Sequence, residues 1–236
     1  MTRKLLIVFA SGLFFAIVLL SSAWVLGGQE MINRIEKDGS RFTFDSDKRS
    51  GPQVSRNLAF SGLKTMTVSA PVTLKFIKGD KAEMVVSGPK RLVDALKWEN
   101  GELSIEGHWH SRRGRVEVTI TAPVLPDLVM QGASKAELAG LDQPSLSIDA
   151  AGALDLEGRG KVAVLEIDAK GASDIDLTNV EVRDATVRVA GAGDIDISAS
   201  GKVDATIAGA GDITLHRKPE VLNTQISGVG KIEHAY

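Results

Sequence analysis

One phrase recurs six times in the second half of the chain, at a spacing that leaves few folds open. It reads GASKAEL (132–138), GALDLEG (152–158), GASDIDL (171–177), GAGDIDI (191–197), GAGDITL (209–215) and GVGKIEH (228–234). The first glycines step by 20, 19, 20, 18 and 19 residues. A fixed period near 19 with no helical pattern predicts a coil of stacked rungs, a β-solenoid.

Alternation on both sides of each glycine supplies the strands. Ala169, Ile167 and Leu165 precede Gly171 at steps of two, with Glu166 and Asp168 between them. Val189, Val187 and Ala185 precede Gly191 in the same way, as do Ile207, Ala205 and Val203 before Gly209. After the corner, Ile175 and Leu177, Ile195 and Ile197, and Ile213 and Leu215 take up the inward positions. Period-two alternation describes a strand with one face buried. Each rung therefore reads as strand, corner, strand and a looser return of about six residues, with Val162, Val180 and Val182 forming a third, shorter face. The Gly-Ala-Gly corners suit tight turning and close stacking of rungs. One rung alone cannot offset the entropy of ordering its backbone, so neighbouring rungs must share a core. Passing from rung to rung joins parallel strands, and strand twist favours the right-handed coil.

Composition agrees with a narrow aliphatic interior. The chain of 236 residues is 43% hydrophobic but only 5% aromatic, with 24 glycines. It has no cysteine, which excludes disulfides, a thiolate nucleophile and cysteine-ligated zinc. The net charge of −2 conceals an asymmetry: residues 1–120 hold 18 basic and 12 acidic side chains, and residues 121–236 hold 10 and 18. A coil at −8 is a poor surface for nucleic acid, whose affinity comes chiefly from Lys and Arg on phosphates.

The fold class that follows is all-β: a right-handed parallel β-helix of six repeats over 123–236, an N-terminal β cap over 58–122, a polar tether over 27–57, and one N-terminal membrane or signal helix over 1–26. Residues 5–26 are almost wholly apolar after Arg3 and Lys4. Twenty-two helical residues span about 33 Å, enough for a bilayer core of about 30 Å. Ser21-Ser22-Ala23 offers a signal-peptide cleavage pattern, while Trp24, Val25 and Leu26 prolong the span and favour a retained anchor. Either way the basic start stays inside, and the remainder faces the periplasm or is exported. Within the cap, Val72, Leu74 and Phe76 alternate before a turn at Lys78-Gly79-Asp80, Asn100-Gly101 signals a hairpin, and 89–98 holds room for a helical turn with Leu92 and Leu96 on one face. At the far end the sequence shows little that would cap the last corner.

These segments resemble the bacterial head GIN domain family, also described as putative auto-transporter adhesins. The resemblance runs from about residue 57 to 234 and rests on NLAFSGLKTMTVSAPVTLKFIKGD, WENGELSIEG, VEVTITAPVLPDLVMQGAS and the repeated GAGDIDI phrases. It implies a right-handed parallel β-helix in the cell envelope, and it brings no catalytic residues. The self-transport in the family label would require a closing outer-membrane barrel, and ten-residue strands ending in an aromatic are absent after Gly228.

Two outward columns carry acid. One holds Asp155, Asp174, Asp194 and Asp212, bounded by Lys135 and Lys231; the other holds Glu137, Glu157, Asp176, Asp196 and Glu233. Rungs repeat at about 4.8 Å, where two exposed charges repel by only ~1 kcal/mol in water. Two readings follow. Asp174, Asp194 and Asp212 could form a Ca²⁺ ladder, or each Asp could bond the turn backbone. His108-Trp109-His110, followed by Arg112 and Arg113, is a second cluster: two His at i and i+2 share a strand face, yet no third ligand lies nearby in sequence. Hydrolase, phosphate-loop and metalloprotease motifs are absent. The sequence thus points to a non-catalytic binding, adhesion-like or scaffolding module of the envelope, with an envelope component or polysaccharide as partner. The alternatives are a carbohydrate-active enzyme on envelope polysaccharide and a coil that self-associates through its free edge.

Overall fold

A computed structural model of the protein describes residues 52–60, 63–106 and 115–236. The expected helix over 1–26, most of the tether over 27–57 and the His108–His110 cluster lie outside the described residues. Among the described residues no helix is long and apolar enough to cross a membrane.

The described residues are all-β, with a solenoid of about five turns where the sequence predicts six repeats, since six corner glycines bound only five intervals. Three long strands form its middle: β9 (Ser134–Ala150), β10 (Ala153–Ala169) and β11 (Ala172–Val189). β10 pairs in parallel with β9 on one side and β11 on the other. Register keeps repeat on repeat: Leu156 faces Ala136 and Ile175, and Ile167 faces Ile148 and Val187. Beyond them come β12 (Ala192–Ala199), β13 (Lys202–Ile207), β14 (Ile213–Leu215), β15 (Val221–Ile226) and β16 (Ile232–His234). β12, β14 and β16 continue one face, and β13 and β15 continue the other.

The glycine phrase sits at the corner between these faces. Successive corners are tied by amides: Ala172 N–H donates to Gly152 O, Ala192 to Gly171 O and Ala210 to Gly191 O, at 2.8–3.1 Å. Inward residues form one apolar column, with Ile175, Ile195 and Ile213 each at most 1% exposed. The return is more ordered than the sequence suggests. In β9, β10 and β11 the strand runs through it, with register shifts at Glu157/Arg159 and Arg159/Gly160 that absorb the uneven repeat lengths. Val162, Val180 and Val182 fill a third buried row.

Parallel pairing also reaches back before residue 123. β2 (Thr65–Val68) pairs with β8 (Asp127–Met130), and β3 (Val72–Lys78) pairs with β9. These two strands form a turn of the same coil, with Ser69 and Ala70 in place of the glycine corner. Over that turn lie β6 (Glu102–Ile105), parallel to β2, and β7 (Val116–Ala122), parallel to β3. β4 (Glu83–Pro89) adds antiparallel to β7, and β1 (Gln53–Leu58) adds antiparallel to β4. β5 (Leu96–Glu99) makes the hairpin with β6, turning at Asn100 and Gly101, both at positive φ as a two-residue turn requires. The helix α1 (Lys90–Ala95) buries Leu92 and Val93. Trp98 Nε1 donates to Ala59 O at 2.8 Å and its ring packs beside Phe60. Gln143, buried, stitches the 123–126 loop to the coil through bonds with both the amide and the carbonyl of Leu125.

Candidate functional site: an acid-lined corner groove

The corner phrase places its second and fourth residues on the outside in a fixed order. Its second residue gives an exposed row, Ala133, Ala153, Ala172, Ala192 and Ala210, each more than a third accessible. Its fourth residue gives the acid column. Between them the chain turns, so small side chains form the floor and carboxylates form one wall. The result is a shallow groove of about 480 Å³ crossing four rungs, lined among others by Ala153, Ala172, Ala192, Asp155, Asp174 and Asp194. Arg115 and Lys135 stand at its N-terminal end. Ser173 also lines it, with its own hydroxyl buried and unbonded.

Asp174, Asp194 and Asp212 do share one column. Asp155 is in register with Asp174, and Asp174 with Asp194. Two of them bond backbone: Asp194 Oδ1 accepts the Asp212 N–H at 3.2 Å, and Asp212 Oδ1 accepts the Lys231 N–H at 3.0 Å. Each such bond satisfies an amide of the next rung at the place where a short strand begins. Among the described residues no group of three or more His, Asp or Glu is arranged to hold a metal ion.

Lysines close both ends of the acidic face. Lys135 Nζ lies 3.1 Å from Glu157 and 3.5 Å from Asp155. Hydrogen bonding to Glu157, then the charge of Asp155, raises its pKa. Lys231 Nζ lies 2.6 Å from Glu233 and 3.7 Å from Asp212, and the bond to Glu233 raises its pKa. Between these ends Asp174, Asp176 and Asp194 make no ion pair among the described residues, while Asp176 Oδ1 accepts the Thr178 N–H. The adjoining face behaves differently. There Arg188 pairs with Glu166, Lys170 with Asp149 and Asp168, and Lys202 with Asp204. Negative charge is therefore neutralised on one face and left as a field on the corner face.

One pair on the acidic face was not anticipated. His216 Nε2 lies 2.6 Å from Asp196 Oδ1, with both side chains about a third exposed. His216 follows β14 and its N–H donates to Ile197 O, which places it one rung on from Asp196. The sequence signal was only its position two residues past Thr214, in a return where the repeat pattern loosens.

The likeness to known proteins is of fold and family. The crystal structure of a putative adhesin from Bacteroides fragilis NCTC 9343 superposes with a TM-score of 0.62 at 19% identity, covering 79% of this chain and 98% of that one. At that identity the likeness establishes the fold. A putative lipid binding protein from Parabacteroides distasonis ATCC 8503 gives 0.42 at 16% identity, again over 79% and 98%. A putative adhesin from Parabacteroides merdae ATCC 43184 gives 0.37 at 14%, over 77% and 96%. No curated protein matches the chain. The model for the putative auto-transporter adhesin, head GIN domain, matches residues 62–219, two thirds of the sequence, and the chain belongs to that family.

Proposed function

We propose that this chain is a non-catalytic, adhesion-like binding module of the bacterial envelope, held at a membrane by residues 5–26 with its coil on the periplasmic side. It engages a basic surface of an envelope component along the corner groove. The observation that carries this reading is the contrast between faces: Asp174 and Asp194 in the middle of the groove make no ion pair among the described residues, and only Asp155 at its end meets a lysine, while the carboxylates of the neighbouring face are paired. The small-residue floor lets an extended partner approach the backbone, and the acid column supplies attraction along its length. The family and its adhesin label support the same reading.

The test is binding of the full-length chain, in mild detergent, to isolated envelope fragments at rising salt. Retention that weakens several-fold between 0.05 and 0.5 M salt, and falls likewise in an Asp155/Asp174/Asp194→Asn variant, is the expected result. Binding indifferent to both changes refutes the groove reading. Release of reducing ends from envelope polysaccharide by the wild type would replace it with an enzyme.

A further inference from the structure

We infer that the last turn of the coil is a self-complementary docking edge, and that its occupant is the same edge of a second copy. β15 pairs only with β13, and β16 only with β14, among the described residues. Among the described residues their other backbone groups form an open ladder. The core row is open there as well. Ile226 is 48% exposed, whereas Ile207, its register partner one turn earlier, is wholly buried. Leu222 and Ile232 are half-buried above the fully buried Val203 and Ile213.

Symmetry and charge select the occupant. At the opposite end β6 and β7 lie over β2 and β3, and the outermost strands there, β1 and β5, are joined antiparallel to β4 and β6. A last turn stacked head-to-tail would therefore meet an antiparallel edge and not the next parallel rung of a coil. Two copies meeting by the same edge are related by a two-fold axis across the coil, which makes the joined strands antiparallel. Inward residues must stay over inward residues, so directly opposed positions share parity. For β16 the register centred on Ile232 meets that condition. It sets Ile232 against Ile232 of the second copy and Lys231 against Glu233 of the second copy, twice. Within one chain Lys231 and Glu233 already contact at 2.6 Å on the outward face, so the pair needs little reorientation to be shared. Thr224 and His234 occupy inward positions that Ala205 and Leu215 hold one turn earlier, which keeps the edge wettable and the association reversible.

The chain has no cysteine, so a single one reports the geometry without background. Full-length Ile232→Cys in mild detergent should convert to a disulfide-linked dimer on gentle oxidation, because opposed residues of antiparallel strands bring their Cβ atoms to about 4.5–5.5 Å. Asp174→Cys, in mid-coil, should not. Sedimentation of the wild type should show a monomer–dimer equilibrium. Lys231→Glu should weaken it about tenfold by opposing two acids twice, and Lys231→Glu/Glu233→Lys should restore it at unchanged melting temperature. A monomer at every concentration, polymers larger than two, or equal cross-linking at 174 and 232 would overturn the proposal.

Discussion

Gly191 sits directly over Gly171, so close that a Cβ on Gly191 would collide with the carbonyl oxygen of Gly171. That oxygen is also the acceptor for the Ala192 N–H at 2.9 Å, so it cannot move aside without breaking the ladder. The same collision arises for Gly171 over Gly152, Gly209 over Gly191 and Gly228 over Gly209. None of these corner glycines has a positive φ; the left-handed glycines are at 88, 101, 140 and 160. Space between rungs, not backbone handedness, fixes the first letter of the repeat.

Gly191→Ala should therefore destabilise the protein by about 3 kcal/mol, as over-packing against rigid backbone does. Gly193→Ala should cost about as much, because its Cβ would meet the Ser173 carbonyl oxygen in the same way, whereas Gly79→Ala, whose Cβ would meet only the Thr121 side chain, should cost about 1 kcal/mol or less. Urea unfolding of the three variants measures the difference. Equal losses at 191 and 79 would mean that corner spacing does not select glycine.

Ile195 lies at the centre of the inward column, between Ile175 and Ile213. Its truncation to Ala leaves a cavity that stacked neighbours cannot fill, and should remove about 2–5 kcal/mol. Ile195→Asp introduces a charge with no partner in an aliphatic interior, and the coil should fail to fold. Circular dichroism distinguishes the two outcomes. A folded Ile195→Asp protein would place that side chain outside the core.

The corners and strands were legible because every rung repeats one physical demand: two inward aliphatics on each side of a residue that tolerates close stacking. Ser69 and Ala70 show where legibility ends. Their turn lacks the glycine, so β2 and β3 read as part of a cap even though they pair in parallel with β8 and β9. The turn at Lys78-Gly79-Asp80 likewise joins β3 and β4, which do not pair, because β7 lies between them. Alternation marks a strand but does not name its neighbour. At the acidic face, the columns followed from the repeat. The His216–Asp196 contact did not, because it depends on how the return after β14 folds back.

Stability should be flat near neutrality and fall in acid. Asp184 has its pKa lowered by the Lys202 amide it accepts and by Arg183, and Asp204 by Lys202 and Asn223. Asp142 is lowered by Lys78. A carboxylate with a lowered folded pKa contributes stability that is complete above its unfolded value and lost as pH falls through the folded one. The melting temperature should therefore begin to drop below about pH 4. Lysines 75, 97, 135, 170 and 231 have raised pKa values from their acid partners. Their contribution is complete below about pH 10 and lost above it. Asp184→Asn should soften the acid limb, and an unchanged limb would remove Asp184 from it.

The acid columns are best separated into field and ion site by adding calcium. Asp194 and Asp212 each give one carboxylate oxygen to an amide of the following rung. That role binds rung to rung without a metal and remains available to Asn, whose side-chain oxygen accepts the same bond. Asp174→Asn, Asp194→Asn and Asp212→Asn together should therefore leave stability equal or slightly higher, since three stacked charges disappear while the backbone bonds persist. An ion held by the folded coil alone would instead raise the melting temperature with concentration. The expected outcome is that millimolar Ca²⁺ and Mg²⁺ change the melting temperature of the wild type alike, as screening does. Stabilisation by Ca²⁺ but not Mg²⁺, abolished in the triple variant, would establish a Ca²⁺ ladder through Asp174, Asp194 and Asp212. In that case the unpaired carboxylates beside the groove would be ion ligands before they were an electrostatic surface, and binding of a basic partner should weaken when calcium is present.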